Sequence, residues 1–234
     1  MANDPLMVWN LSGERVNEGG PVEVVRNFTY QFRPGSFYEL SGSEIDGKGL
    51  MLRLLGLLLP PTSGEIFVDG LRVNDMGIDD LSDIRNRKYG FLFASPFLLP
   101  AFTVLENVAM PLFKIAGVEA PEAKGITEEI LEMVGVSRIA TASIEELNGL
   151  EGMLAALARA LVHHPHVLIA ENVGFDLDGH EAQTLLSILR ESGRRLGLAV
   201  IATIAPQVDW GQADVCLEIG PGGVQEVIRR NQRG

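Results

Sequence analysis

The stretch YELSGSEIDGKGLMLRLLGLLLPPTSGEIFVDG (Tyr38–Gly70) decides how the rest of the chain is organised. A strand-like run ends at Gly42, and Gly47-Lys48 follows after four intervening residues. The leucine-rich run behind it places Leu50, Leu54, Leu57 and Leu58 on one face of a predicted helix. This is the spacing of a phosphate-binding loop, whose amides cradle phosphates while its lysine reaches the terminal ones and the helix N-terminus adds a favourable dipole. Such a loop normally continues with Ser or Thr, whose hydroxyl ligates Mg²⁺. Gly49 stands there instead, and Glu44 and Asp46 put carboxylates where phosphates would lie. At about 5 Å and an effective dielectric near 20, each such like-charge contact costs on the order of 3 kcal/mol, and less where the acids point outward from the loop. The frame of a nucleotide site is present, and several of the groups that do its chemistry are missing.

Working outward, LMVWNL, VVRNFTYQF and SFYELS before the loop read as strands, with Arg33-Pro34-Gly35 as a turn. After it, SGEIFVDGLRV reads as a hairpin-like pair around Asp69-Gly70, and YGFLFASPFLLP as a buried strand leaving the core into a loop. From Thr103 to about Val162 the apolar spacing turns helical in TVLENVAMPLFKIAG, GITEEILEMVG and GLEGMLAALARALVHH. Strand signals return at HVLIA, LAVIAT and DVCLEIG, with the helix HEAQTLLSILRESGRRLG between the first two. Alternating strands and helices predict an α/β fold with a largely parallel sheet, interrupted by a helical insert. The tail RRNQRG reads as a solvated end.

The chain has 234 residues, 46% hydrophobic and 21% charged, which suits one α/β domain with a subdomain. A net charge of -12 argues against nucleic acid as a general partner. The single cysteine, Cys216, excludes an internal disulfide framework and fits a reducing compartment. LMLRLLGLLL is broken by Arg53 and stopped by Pro60-Pro61, too short for a membrane span, and MANDPLMVWN lacks the pattern of a signal peptide. The expectation is a cytoplasmic protein that reaches a membrane only through a partner.

The second landmark is HVLIAENVGFDLDGHE (166–181), an apolar strand ending in acidic residues, as nucleotide sites use to hold Mg²⁺ and orient water. With LRLLGLLLPPTSGEIFVDG, YGFLFASPFLLPAFTVLENVAMPL, ALARALVHHPHVLIAE and AVIAT in that order, the chain resembles the ATPase subunit of an ATP-binding-cassette (ABC) transporter, nearest the lipoprotein-release and macrolide-export type. The resemblance covers nearly the whole length. It implies a P-loop NTPase (RecA-like) core, an antiparallel β subdomain and a helical subdomain at about residues 95–162, together one nucleotide-binding domain over 1–234.

The departures from the family pattern fall on its functional positions. By the resemblance, Gly42, Gly47, Lys48 and Gly49 form the nucleotide loop, and Val16 replaces the aromatic that stacks on adenine. Ala94 replaces a glutamine that contacts metal and water. Leu147, Asn148, Gly149, Leu150 and Glu151 replace the signature LSGGQ, which grips the γ-phosphate held by an opposing subunit. Asn148 can still cap a helix, but Leu150 crowds the backbone approach and Glu151 brings a negative charge. Glu171 takes the place of the magnesium-holding aspartate, Asn172 that of the catalytic glutamate and Ile204 that of the switch histidine. Asn172 can position water but cannot take its proton at neutral pH. Asp178 matches the aspartate of the D-loop.

The same resemblance sets Phe97, Leu98, Leu99 and Phe102 beside the groove where a permease's coupling helix docks; by residue type alone, Phe91, Phe93, Phe97 and Phe102 read as core. His163, His164 and His166 lie between a helix end and a strand, where the helix C-terminus is a better reason for them than a metal; no metal-ligating set is assigned. The expected protein is a degenerate ATPase subunit, with ATP and Mg²⁺ bound weakly or not at all. It would dock on a membrane permease, peripheral to the inner membrane, and pair with a second nucleotide-binding subunit, identical or not. Two rivals are a slow ATPase, with Glu171 holding metal and Asn172 orienting water, and a soluble adaptor that has left transport.

Overall fold

The computed structural model describes residues 4–16, 22–43, 47–208, 211, 213–220 and 223–229. Two sheets carry the architecture. The first is antiparallel, in the order β2-β1-β4-β5, built from β1 (Leu6–Val16), β2 (Val22–Phe32), β4 (Ser63–Val68) and β5 (Leu71–Arg72). The second runs β10-β9-β3-β8-β7-β6, from β3 (Phe37–Gly42), β6 (Tyr89–Leu92), β7 (Val167–Val173), β8 (Ala199–Ile204), β9 (Val215–Gly220) and β10 (Gly223–Arg229). Its pairs are parallel from β9 through to β6, and β10 closes the edge antiparallel.

Strand periodicity divides the core between the two faces of the parallel sheet, as expected when both faces are covered. Val167 and Ile169 of β7, with Ala199 and Ile201 of β8, face one cluster shared with the antiparallel sheet and α1 (Lys48–Leu55). Leu168 and Ala170, with Val200 and Ala202, face the other, packed under α3 (Val104–Pro111), α4 (Ala120–Met133), α5 (Gly149–Leu161) and α6 (Gly179–Leu196). A slip of one residue in either strand would exchange the faces, so burial on both sides pins the register.

Several details depart from the periodicity. The expected helix face ending in Leu57 and Leu58 is cut short: α1 stops at Leu55, Leu57 has φ 55° and Leu58 is 43% exposed. Gly56 caps the helix, and the chain must turn there to reach Pro60-Pro61. The polar helix α2 (Ile78–Lys88) buries none of its residues fully, and only Leu81 and Ile84 pack half-buried against the core, too short an apolar stripe to read. The helix at 104–116 is not uniform either: Pro111 ends the α-helical part, and Leu112–Ala116 continues as a π-helical turn. Beyond that, β10 occupies residues that carried no strand reading.

Asp214 ties three elements together at the start of β9. It accepts the Phe37 N–H at 2.9 Å, Arg190 Nη2 at 2.8 Å and Arg194 Nη2 at 3.0 Å. Burial pushes its carboxyl up, but the bonds from Arg190 and Phe37 and the charges of both arginines outweigh that and hold it below the usual range.

Candidate nucleotide site

In a parallel sheet the loops leaving the C-terminal ends of the strands lie along one edge, where ligands of such folds bind. Here β3, β8, β7 and β6 are neighbours in that order. Their ends bring Gly42, Ile204, Glu171-Asn172 and Ala94 to the same edge. The residues singled out by spacing along the chain are thus gathered by topology.

The loop needs its glycines. Gly42 has φ 123°, and a Cβ there would stand 2.2 Å from the carbonyl oxygen of Ile219. Gly47 has φ 93° and is the N-cap of α1, with no side chain capping the helix. Met51 N–H bonds the Gly47 carbonyl at 2.8 Å and starts the helical ladder. Lys48 is buried in the first turn. Glu44 and Asp46 lie outside the described residues, as does the side chain of Val16.

Around β7 the described side chains are polar. Arg53 Nη2 of α1 stands 3.6 Å from Glu171 Oε1, each side chain about a third exposed. Asn172 adopts φ 54°, a left-handed conformation that Asn tolerates better than most residues, and its N–H donates to Thr203 Oγ1 at 2.8 Å. Its carbonyl accepts from Phe175 N–H at 3.2 Å, closing a turn. Ile204 is buried at 9% exposure and offers only hydrocarbon. Gln207 Nε2 donates to the Phe175 carbonyl at 2.7 Å and holds the same turn.

A cleft of about 210 Å³ joins three of the expected segments: Ala94 and Leu98 after β6, Asn148 and Gly149 at the start of α5, and Phe175 and Leu177 after β7. Leu150 and Glu151 do not line this cleft. Glu151 closes a capping box with Asn148 and pairs with Arg138, so its charge is engaged within its own helix start. Asp178 is likewise an N-cap, its Oδ1 accepting from His180 N–H at 2.9 Å and Glu181 N–H at 2.8 Å.

The docking candidates separate. Leu98 is buried, whereas Phe97, Leu99 and Phe102 are exposed, with Phe97 at φ 44° and edge-on to Phe93. Only Phe102 lines the apolar groove of about 450 Å³ between α3 and α4, together with Leu105, Ala109, Met110 and Phe113. Arg159 sets the path of this loop by donating to the carbonyls of Phe97 at 2.7 Å and Pro96 at 2.8 Å. A lone arginine in the apolar run LAALARALV was the signal for it. The histidines have separate partners: His163 Nε2 lies 3.0 Å from the Tyr89 carbonyl, and His166 Nδ1 lies 2.8 Å from Asp69.

The model of the ABC transporter family matches residues 25–172, from β2 through the loop to Asn172. The chain belongs to the ABC transporter family. Relatives among ABC proteins include the lipoprotein-releasing system ATP-binding protein LolD of Bacteroides thetaiotaomicron, 36% identical over 178 residues, covering 76% of this chain and 81% of that one. An uncharacterised ABC transporter ATP-binding protein of Thermotoga maritima is 35% identical over 212 residues, covering 89% and 88%. Among solved structures, the dimeric post-hydrolysis state of the ATP-binding cassette MJ0796 bound to ADP and Pi superposes with TM-score 0.80 at 25% identity, covering 97% of this chain and 99% of that one. The ABC ATPase fold is thus established, with its parallel sheet and antiparallel β subdomain. Among the described residues, no helix is long and apolar enough to cross a membrane.

Proposed function

We propose that this ABC protein is the ATP-binding subunit of a membrane transporter complex, and that it hydrolyses ATP far more slowly than the fold allows. One observation carries the second half: Asn172 stands near the end of β7 where a proton acceptor is needed, while the neighbouring carboxylate, Glu171, is paired with Arg53. Loss of a general base alone forfeits about 10²–10⁴-fold in rate. Ala94 and Ile204 supply no substitute at the adjacent strand ends. Binding is a separate matter. Lys48, the two loop glycines and the uncapped start of α1 are the parts that hold phosphate, and they are retained.

The family relationship supports ATP as ligand, pairing with a second nucleotide-binding subunit, identical or not, and attachment to a permease at the membrane. LolD is by name the ATP-binding protein of a lipoprotein-releasing system, and the similar cassette MJ0796 is a dimer that binds ADP and Pi. The whole chain then acts as one nucleotide-binding domain, with the helices of about residues 95–162 as its helical subdomain. The groove between α3 and α4, with Phe102 and Phe113 on its rim, is the permease-docking surface in this reading.

Kinship by itself favours a second reading, a subunit that binds and hydrolyses ATP in the ordinary way; only the residues Gly49, Ala94, Asn172 and Ile204 speak for impaired hydrolysis. Phosphate release from purified protein, with and without Mg²⁺, separates the two. Turnover that is magnesium-dependent and abolished by Lys48→Ala would establish the ATPase and sink the impaired one.

A further inference from the structure

The groove between α3 and α4 is built on helical rows. Phe102, Glu106 and Met110 follow one another at four-residue spacing, and Leu105, Ala109 and Phe113 form the row beside them. Lys124 stands on the facing wall, on α4. The groove of about 450 Å³ is thus apolar apart from two charges, an acid on one wall and a base on the other. The π-helical turn Leu112–Ala116 continues α3 past Pro111 and carries Phe113, the last residue of its row.

Neither charge is closely matched within the chain. Glu106 accepts the Thr103 N–H and the Thr103 hydroxyl, both at 2.8 Å and both on Oε2, so Oε1 accepts no bond among the described residues. Those bonds belong to the capping box of α3 and hold the carboxyl below its usual range, so the group is an anion at neutral pH. Lys124 reaches Glu128 at 3.7 Å with both side chains more than half exposed, and such a pair is weak. An apolar surface laid into the groove takes both groups out of water, which an unpaired charge resists strongly. Flanks of a single sign fare no better, because one wall then meets a like charge. What fits is an apolar ridge with opposite charges on its two flanks, and an amphipathic helix presents these at the spacing of the rows it meets.

We propose that this groove takes an amphipathic helix of the membrane partner, with a basic flank against Glu106 and an acidic flank against Lys124. The inference rests on the permease-docking reading of the groove and deepens it. Apolar contact with Phe102, Ala109 and Phe113 supplies the attachment, and the two charges set the direction in which the helix lies. Laid the other way, the same helix exchanges its flanks and meets two like charges.

The test uses three fluorescein-labelled helical peptides that share one leucine ridge and carry mixed, wholly basic or wholly acidic flanks. Each is titrated with the full-length protein at physiological salt and followed by anisotropy. The mixed peptide is expected to bind at least about fivefold more tightly than either of the others. Glu106→Lys makes both walls positive and should move the preference to the acidic peptide. Lys124→Glu, which leaves the α3 cap untouched, should move it to the basic one, and the double exchange should restore the mixed peptide to first place. Phe113→Glu is expected to weaken all three by at least about tenfold. If it does so while the charge variants leave the order of the peptides unchanged, the proposal is overturned and the docking reading stands. If Phe113→Glu changes nothing, or no peptide binds below about 1 mM, both are overturned. Sedimentation of the protein alone tests the other occupant: self-association displaced by the mixed peptide gives the groove to a second copy and overturns the proposal.

Discussion

Asn148 and Glu151 cap one helix reciprocally: Asn148 Oδ1 accepts the Glu151 N–H at 2.9 Å, and Glu151 Oε2 accepts the Asn148 N–H at 3.0 Å. The remaining Glu151 oxygen meets Arg138, and only 12% of the Glu151 side chain is exposed. From spacing alone, Glu151 is a charge that would repel a phosphate across a dimer. In the structure that charge is engaged by one backbone N–H, that of Asn148, and by the Arg138 guanidinium. The segment corresponding to the family signature therefore works here as a helix start, with its polar groups turned inward on the chain.

This gives a stability prediction. Asn148→Ala removes the cap of α5, the helix that fills the centre of the core under β6 and β7. The cost is about 1 kcal/mol, which lowers Tm by roughly 2–4 °C in a domain of this size. Asn148→Ser retains an accepting oxygen and should lose less than half of that. Thermal unfolding by circular dichroism compares the three proteins.

Restoring one catalytic group should not restore hydrolysis. Asn172→Glu supplies a base, but at φ 54° the longer side chain is less comfortable than Asn, and Ala94, Gly49 and Ile204 still offer water and metal nothing. Phosphate release by Asn172→Glu alone is expected to rise less than about tenfold, well short of what a positioned base contributes. The combination with Gly49→Ser, Ala94→Gln and Ile204→His should exceed the single variant by at least about another tenfold. Single-variant rates in the range of an ordinary ATPase would show that only the base was missing.

Asp214 sets a pH dependence whose sign is fixed by its neighbours. Its carboxyl is held below the ordinary 3.8, so its stabilisation is fully present above that value and disappears as pH falls through the lower folded-state value. Asp214→Asn should cost on the order of 2 kcal/mol near neutrality, because bonds from two arginines to a charged acceptor are lost. The gap between the urea midpoints of wild type and variant should be constant from pH 5 to pH 7 and shrink below about pH 4. A gap that widens in acid would contradict the role given to Arg190 and Arg194.

What could be read in the sequence follows from how local its cause is. The strand ending at Gly42, the helix starting at Lys48, the hairpin at Asp69-Gly70 and the helix at 149–161 are each written in turn residues or apolar spacing, and each is found. Helix α2 escapes the sequence reading because only Leu81 and Ile84 give it an apolar face, and the end of α1 because leucines continue past the residue where the backbone turns. The site was legible as a set of positions, since motif order along the chain maps onto the ends of adjacent parallel strands. Its partnerships were not: Arg53 with Glu171, Arg159 with the Pro96 and Phe97 carbonyls, and Gln207 with Phe175 join residues far apart in sequence. Those pairings decide which charges are free to meet a ligand, and only packing determines them.

The last prediction concerns the groove between α3 and α4. Phe102 and Phe113 are 41% and 48% exposed on its rim, above a floor that includes Ala109 and Met110. Two half-exposed aromatics over an apolar floor have little to stabilise in the isolated chain, so Phe113→Glu should shift Tm by less than about 2 °C, in the range of ordinary surface changes. In a complex the same change would place a carboxylate in an apolar contact, and burying it without a partner costs several kcal/mol. Co-purification in detergent with a multi-span membrane protein should therefore fall by at least about tenfold for Phe113→Glu and for Phe102→Glu. Phe97 stands outside this groove, on the loop anchored by Arg159. Phe97→Glu should accordingly weaken the complex less than either groove variant, and an effect of equal size would move the docking surface from the groove to that loop.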